Sequence, residues 1–174
     1  GQILEMHVRR LPNGIMSEYL FENTKVDDLL RISGPHGTFA LRPAAENDLI
    51  FVATGTGIGP VKSMIEQIES MPADQLPRSI KILWGMRRED EIYWSPSDKF
   101  GQVDFIPVLS QAGDSWDGER GYVQEALFRS NVITPQTYIY ACGSEAMINA
   151  TKSKARSAGL TEENFYSDSF VASN

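Results

Sequence analysis

Asp48-Leu-Ile-Phe-Val-Ala-Thr-Gly-Thr-Gly-Ile-Gly-Pro60 is the stretch that decides the fold. An apolar run from Leu49 to Ala53 ends in the glycine-rich turn Gly55-Thr-Gly57-Ile-Gly59. At Pro60 the chain enters a segment with helical spacing, with Val61, Met64, Ile65 and Ile68 at i, i+3, i+4 and i+7. Strand, glycine turn and helix in that order build an anion site. Glycines let the backbone turn tightly and approach a ligand, while the first free N–H groups and the helix dipole point at a phosphate. Proline fits the first helical position because its missing donor would have had no intrahelical partner. The stretch predicts a site for a nucleotide pyrophosphate. The competing reading is a tight strand-to-helix turn that binds nothing.

Two familiar phosphate loops do not fit. A P-loop ends in Gly-Lys-Ser/Thr, whereas Lys62-Ser63 here follow Val61. The standard dinucleotide fingerprint needs a third glycine and an acid about 20 residues on for the ribose hydroxyls. Here Pro60 stands in the place of that glycine, and Asp74 sits among Pro72, Gln75 and Pro77 in a predicted loop. The next apolar strand, Ser79 to Trp84, runs into Gly85-Met86-Arg87-Arg88 rather than an acid.

Working outward, strands are predicted near 49–54, 79–84, 103–109 and 137–141, with a short one around 164–167. Helices are predicted near 60–70, 122–130 and 144–158. Alternation of this kind, with almost wholly apolar strands, predicts an α/β fold: a doubly wound parallel sheet covered on both faces. Ligands then bind across the carboxyl ends of the strands, which carry Thr54 to Pro60, Gly85 to Arg88, Leu109 to Gln111 and Cys142 to Glu145. Upstream, residues 2–10 and Leu29 to Ser33 carry strand patterns, and Ile15 to Glu22 has helical spacing. Arg42 to Asn47 is polar and contains proline, which places a domain boundary between residues 1–42 and 43–174.

Composition narrows the function classes. The 174 residues are 41% hydrophobic and 22% charged, enough apolar content for a real core. A net charge of −7 argues against nucleic acid or an anionic membrane as partner, since both need clustered positive charge. The one cysteine, Cys142, precludes an internal disulfide and suits a reducing cytoplasm. No apolar run approaches the ~20 residues of a membrane span. His7 and His36 have no carboxylate or second histidine at ligand spacing, so no metal site is expected.

Three motifs fall on one sheet edge: Gly-Thr-Gly-Ile-Gly-Pro (55–60), Trp-Gly-Met-Arg (84–87) and Ala-Cys-Gly-Ser-Glu-Ala-Met (141–147). Together with Pro107-Val-Leu-Ser110, Gly121-Tyr-Val-Gln124 and Phe165-Tyr-Ser-Asp-Ser-Phe170 they resemble the pyridine-nucleotide half of the ferredoxin–NADP reductase family. Gly14-Ile-Met-Ser17 and Gly34-Pro-His-Gly37 resemble the end of that family's antiparallel flavin-binding β-barrel, so residues 1–42 read as a fragment of it. Within the family the chain is most similar to CDP-6-deoxy-glucoseen reductases, which serve 3,6-dideoxy-sugar synthesis.

The resemblance implies hydride transfer from NAD(P)H to FAD, and electrons passed onward to an iron–sulfur protein or domain. Thr54, Gly55, Thr56, Gly57 and Pro60 would hold the NAD(P) pyrophosphate. Cys142, Gly143 and Met147 would lie on the nicotinamide side, with Cys142 and Phe170 nearest the reacting rings. Gly14, Met16 and Ser17 would bind the FAD phosphate. Family members that use NADPH often carry Ser-Arg where this chain has Ser110-Gln111, so the reading leans to NADH. Arg87 and Arg120 remain alternative cations for a 2′-phosphate. The family's Arg-x-Tyr-Ser flavin grip falls before residue 1, and no plant-type cysteine cluster motif occurs, so an iron–sulfur cluster is expected only outside these residues. Two rival functions stay open: an NAD(P)H free-flavin reductase, and a nucleotide-binding module without chemistry.

Overall fold

A wholly apolar strand is stable only where both of its faces are covered, and the centre of this fold is built that way. The computed structural model describes residues 4–34, 36–97, 103–130 and 133–170. Gln2, Ile3 and Pro35, which belong to segments read above, lie outside the described residues. Strand β1 (Asp48–Thr54) buries every residue from Leu49 to Ala53. It lies between β2 (Ser79–Met86) and β5 (Thr137–Gly143), parallel to both. With β3 (Val103–Leu109), β4 (Glu119–Arg120) and β6 (Phe165–Ser169) it forms a parallel sheet in the order β4-β3-β2-β1-β5-β6.

Alternate residues of the central strands supply two separate cores. Leu49, Phe51, Ile82, Trp84 and Tyr140 face helix α2 (Ile58–Glu69), which contributes Ile58, Val61, Met64, Ile65 and Ile68. Ile50, Val52, Leu83, Ile139 and Ala141 face α3 (Val123–Ser130) and α4 (Glu145–Ser157). Each fully buried aliphatic side chain contributes about 1.5–3 kcal/mol, so the doubly covered sheet is the main source of stability. This is the doubly wound arrangement that the alternating pattern predicts.

On the α2 face, Tyr140 stacks on Phe51 and Tyr166 at ring-centroid distances of 5.2 and 4.8 Å. The backbone N–H of Arg42 donates to the Tyr140 hydroxyl at 3.0 Å, and Phe39 packs edge-on against the same ring. Residues 39–42 are thereby fastened to the sheet. The chain divides by packing into Gly1–Thr38 and Phe39–Asn174.

At the amino end of β1, Asp48 accepts from the Arg78 guanidinium and, at 2.6 Å, from the Ser79 hydroxyl. The Arg78 hydrogen bond holds the Asp48 carboxyl below its ordinary 3.8. A carboxyl whose folded pKa is lowered adds stability that is complete above the unfolded value and is lost as pH falls through the folded one. Asp48→Asn is therefore expected to flatten the acid limb of the stability curve below about pH 4. Urea unfolding of both proteins between neutral pH and pH 3 checks this. A parallel loss of stability in the variant would remove Asp48 as the source.

The first unit departs from its sequence pattern. Helix α1 (Ile15–Glu18) continues into a wider turn over Tyr19–Asn23, as the helical spacing predicts. The strands expected in 2–10 and 29–33 do not form among the described residues. Alternation supplies an apolar face but no hydrogen-bond partner, and no neighbouring strand lies alongside among those residues. Leu29 accordingly stands 99% exposed, and Val26 and Ile15, outside those segments, stand 92% and 88% exposed. Strand β4 is the converse case: it has two exposed, charged residues and no apolar signal.

Candidate functional site

Strand order reverses at β1, with β2, β3 and β4 to one side and β5 and β6 to the other. Such a switch point opens a crevice beyond the carboxyl ends of the two central strands. Here those ends carry Thr54 to Gly57 after β1 and Cys142 to Ser144 after β5.

The two loops meet backbone to backbone, and glycine is what allows it. A Cβ on Gly57 would lie 2.3 Å from the Cys142 carbonyl oxygen. A Cβ on Gly143 would lie 2.2 Å from Thr54 Oγ1, and Gly143 also has φ +133°. Thr54 Oγ1 in turn accepts the Ser144 N–H at 3.0 Å. Gly55 is a glycine for a different reason. It takes φ +53°, and the space where its Cβ would stand is open, with no atom within 4 Å. A crowded seam thus lies below and an open backbone surface above, at the start of a twelve-residue helix with no acid in its first turn. That is the layout of an anion site.

Cys142 is fully buried, and burial, then the Asp168 carboxylate, push its thiol up to about 12. It is therefore a neutral thiol at physiological pH and no nucleophile. Phe170 is 44% exposed, and its backbone N–H donates to the Gly143 carbonyl at 2.9 Å. Thr54, Gly55, Gly57, Cys142, Gly143 and Phe170 are therefore brought together. Thr56 and Pro60, half-buried, flank them on the turn and first helical residues. Met147 lies deeper: its side chain is in the α4 core, and only its N–H, held by Ser144 Oγ at 3.4 Å, belongs to the helix start.

A second group sits at the neighbouring strand ends. Ser110 and Gln111 donate backbone N–H groups to the carbonyls of Met86 and Arg87, at 2.9 and 2.8 Å. Gln111 and Arg87 are exposed. The Arg120 guanidinium donates to the backbone carbonyls of Ala112, Gly113 and Trp116, so it serves to hold the 112–116 loop. Tyr122, 66% exposed after Gly121 with φ +97°, is a further surface aromatic at this edge. It stands inside a quoted motif, but nothing in its type or spacing separates it from a core tyrosine.

Gly14, Met16 and Ser17 lie together in the first unit, where Gly14 precedes α1. The Ser17 hydroxyl is turned back into its own loop, its one proton within reach of the Leu11 and Gly14 carbonyls and its oxygen accepting from the Leu11 N–H. Any phosphate contact here falls to backbone groups.

Comparison with known proteins agrees with this geometry. Residues 51–153 match the family model of the oxidoreductase NAD-binding domain, and residues 1–41 match that of the oxidoreductase FAD-binding domain. The chain is 40% identical to protein RfbI of Salmonella typhimurium, over 98% of this chain and 52% of that protein. It is 38% identical to the CDP-6-deoxy-L-threo-D-glycero-4-hexulose-3-dehydrase reductase of Yersinia pestis, with the same coverage. The chain spans about half the length of the curated relatives it matches. Among solved structures, the cytochrome P450 reductase GcoB of Amycolatopsis shares the fold, with TM-score 0.82 and 21% identity over 95% of this chain and 51% of that one. The NAD-binding match takes in the glycine seam and more than half of the 174 residues, and the chain belongs to the family of oxidoreductase NAD-binding domains.

Proposed function

We propose that this chain is the nucleotide half of an NADH-dependent flavin oxidoreductase that passes electrons onward to an iron–sulfur centre. The observation that carries the reading is the seam at which Gly57 meets the Cys142 carbonyl and Gly143 meets Thr54, beneath the open left-handed Gly55. A bound flavin would supply the redox chemistry: it takes a hydride from a nicotinamide and gives up electrons singly.

The residues of this chain bind and orient. The backbone of the Gly55–Gly57 turn holds the pyrophosphate, with the helix dipole of α2 behind it. Thr54 keeps the β5 loop in register through the Ser144 N–H. Cys142 acts by size: a neutral, buried thiol beneath the nicotinamide position keeps charge and bulk away from it. Phe170, tied to Gly143, presents an exposed ring at the same edge. The Gly14 turn, within the FAD-binding match, fits the flavin phosphate through the backbone of residues 15–17.

NADH is favoured because Gln111 lacks a cation for a 2′-phosphate and the Arg120 guanidinium is engaged with three carbonyls. The CDP-hexulose reductase relative supports a place in deoxy-sugar synthesis, and similarity to the anthranilate 1,2-dioxygenase electron transfer component of Acinetobacter baylyi, 29% identical, supports onward electron transfer. The single reduced cysteine favours a cytoplasmic setting. Among the described residues no helix is long and apolar enough to cross a membrane.

Titration of the chain with NADH and separately NADPH, followed by backbone amide NMR, tests the reading. Tighter NADH binding is expected, with shifts concentrated at residues 55–60, 110–111 and 142–143. No binding of either nucleotide at millimolar concentration would overturn it.

A further inference from the structure

We propose that Trp84 is a positioning residue for the pyrophosphate: its indole N–H pins the Gly55 carbonyl inward, which turns the Thr56 N–H outward to the phosphate. The proposal rests on the nucleotide reading above and adds a residue to it. Trp84 is fully buried on β2, paired in register with Ala53, two residues before Gly55. Its Nε1–H donates to the Gly55 carbonyl at 2.8 Å. The Ile58 N–H donates to the same oxygen, so both lone pairs are used.

The geometry of the peptide unit does the rest. In a trans peptide the C=O and the following N–H point in opposite directions, so fixing the Gly55 oxygen against the core aims the Thr56 N–H away from it. The pin matters because Gly55 sits at φ +53° with open space around it, and glycine populates either sign of φ about equally. Without the indole the Gly55 carbonyl keeps only the Ile58 N–H, and the 55–56 peptide is held less firmly. A buried indole N–H usually finds some acceptor, but here the acceptor is a carbonyl whose orientation sets a donor of the anion site. The Trp84 ring has its own packing, edge-on to Tyr93 at a centroid distance of 5.1 Å, so ring and donor can be separated by substitution.

The test compares the full 174-residue chain with two variants that lack the donor. One is Trp84→Phe; the other carries a benzothiophene isostere at position 84, which keeps the shape of the ring with sulfur in place of N–H. Each is titrated with ADP-ribose, which carries the pyrophosphate, and with adenosine, which does not. Both variants are expected to bind ADP-ribose about threefold to tenfold more weakly, as a competent loop conformer falls to a minority. Adenosine binding is expected to stay unchanged, and the Thr56 amide to lose its ADP-ribose-induced shift. If the isostere binds ADP-ribose as the natural chain does, or loses both ligands alike, the positioning role is overturned. Failure of the natural chain to bind ADP-ribose would instead overturn the nucleotide reading, and the role of Trp84 with it.

Discussion

Gly57→Ala is expected to abolish nucleotide binding and to lower the melting temperature by roughly 6–12 °C. The added methyl would stand 2.3 Å from the Cys142 carbonyl oxygen and 2.7 Å from its carbon, both backbone atoms that no rotamer change can move. Overpacking of this kind costs about 3 kcal/mol, and a chain of this size loses about 2–4 °C per kcal/mol. The only relief is separation of the β1 and β5 loops, which dismantles the anion site. Gly55→Ala is the control. It meets no atom, so its cost is the about 1–2 kcal/mol of a left-handed alanine. Thermal unfolding of both variants decides the point. Equal damage from the two would mean that the close seam is not the reason for a glycine at 57.

Gln111→Arg carries the second large effect. The Gln111 side chain is exposed, while its backbone is anchored to the Arg87 carbonyl at 2.8 Å, so a guanidinium can be added without disturbing the loop. A charge-assisted hydrogen bond to phosphate contributes about 1.5–3 kcal/mol. NADPH affinity is therefore expected to rise about tenfold to a hundredfold, with NADH affinity nearly constant. Competition titrations of the two nucleotides measure the ratio. An unchanged ratio would place 2′-phosphate recognition at another cation, such as the exposed Arg87.

The parts of the fold legible in the sequence are those with local causes. The apolar run of β1, its glycine turn and the spacing of Val61, Met64, Ile65 and Ile68 each follow from neighbours a few residues apart, and the structure has all three. Strands in residues 4–10 and 29–33 are misread because alternation states which face is apolar but not whether a partner strand exists. Strand β4 is missed because an exposed Glu-Arg pair has no period to detect.

The candidate site divides in the same way. Gly55, Gly57 and Gly143 are visible as glycines, but the reason for each differs and appears only in three dimensions: open space at 55, a backbone seam at 57 and 143. Trp84 reads as a packing residue from sequence, and it is one. Its second task depends on a hydrogen bond across 29 positions, which no local pattern records.

That same hydrogen bond gives the molecule an optical handle. Among its tryptophans Trp84 is fully buried, while Trp94 and Trp116 are half-buried, so the three report from different environments. An indole sealed from water emits toward shorter wavelength, and its emission is absorbed by reduced nicotinamide but not by the oxidised form. With its donor fixed to the loop proposed to hold the nucleotide, Trp84 is expected to make the protein's own ultraviolet fluorescence respond to cofactor binding and redox state, without an added dye.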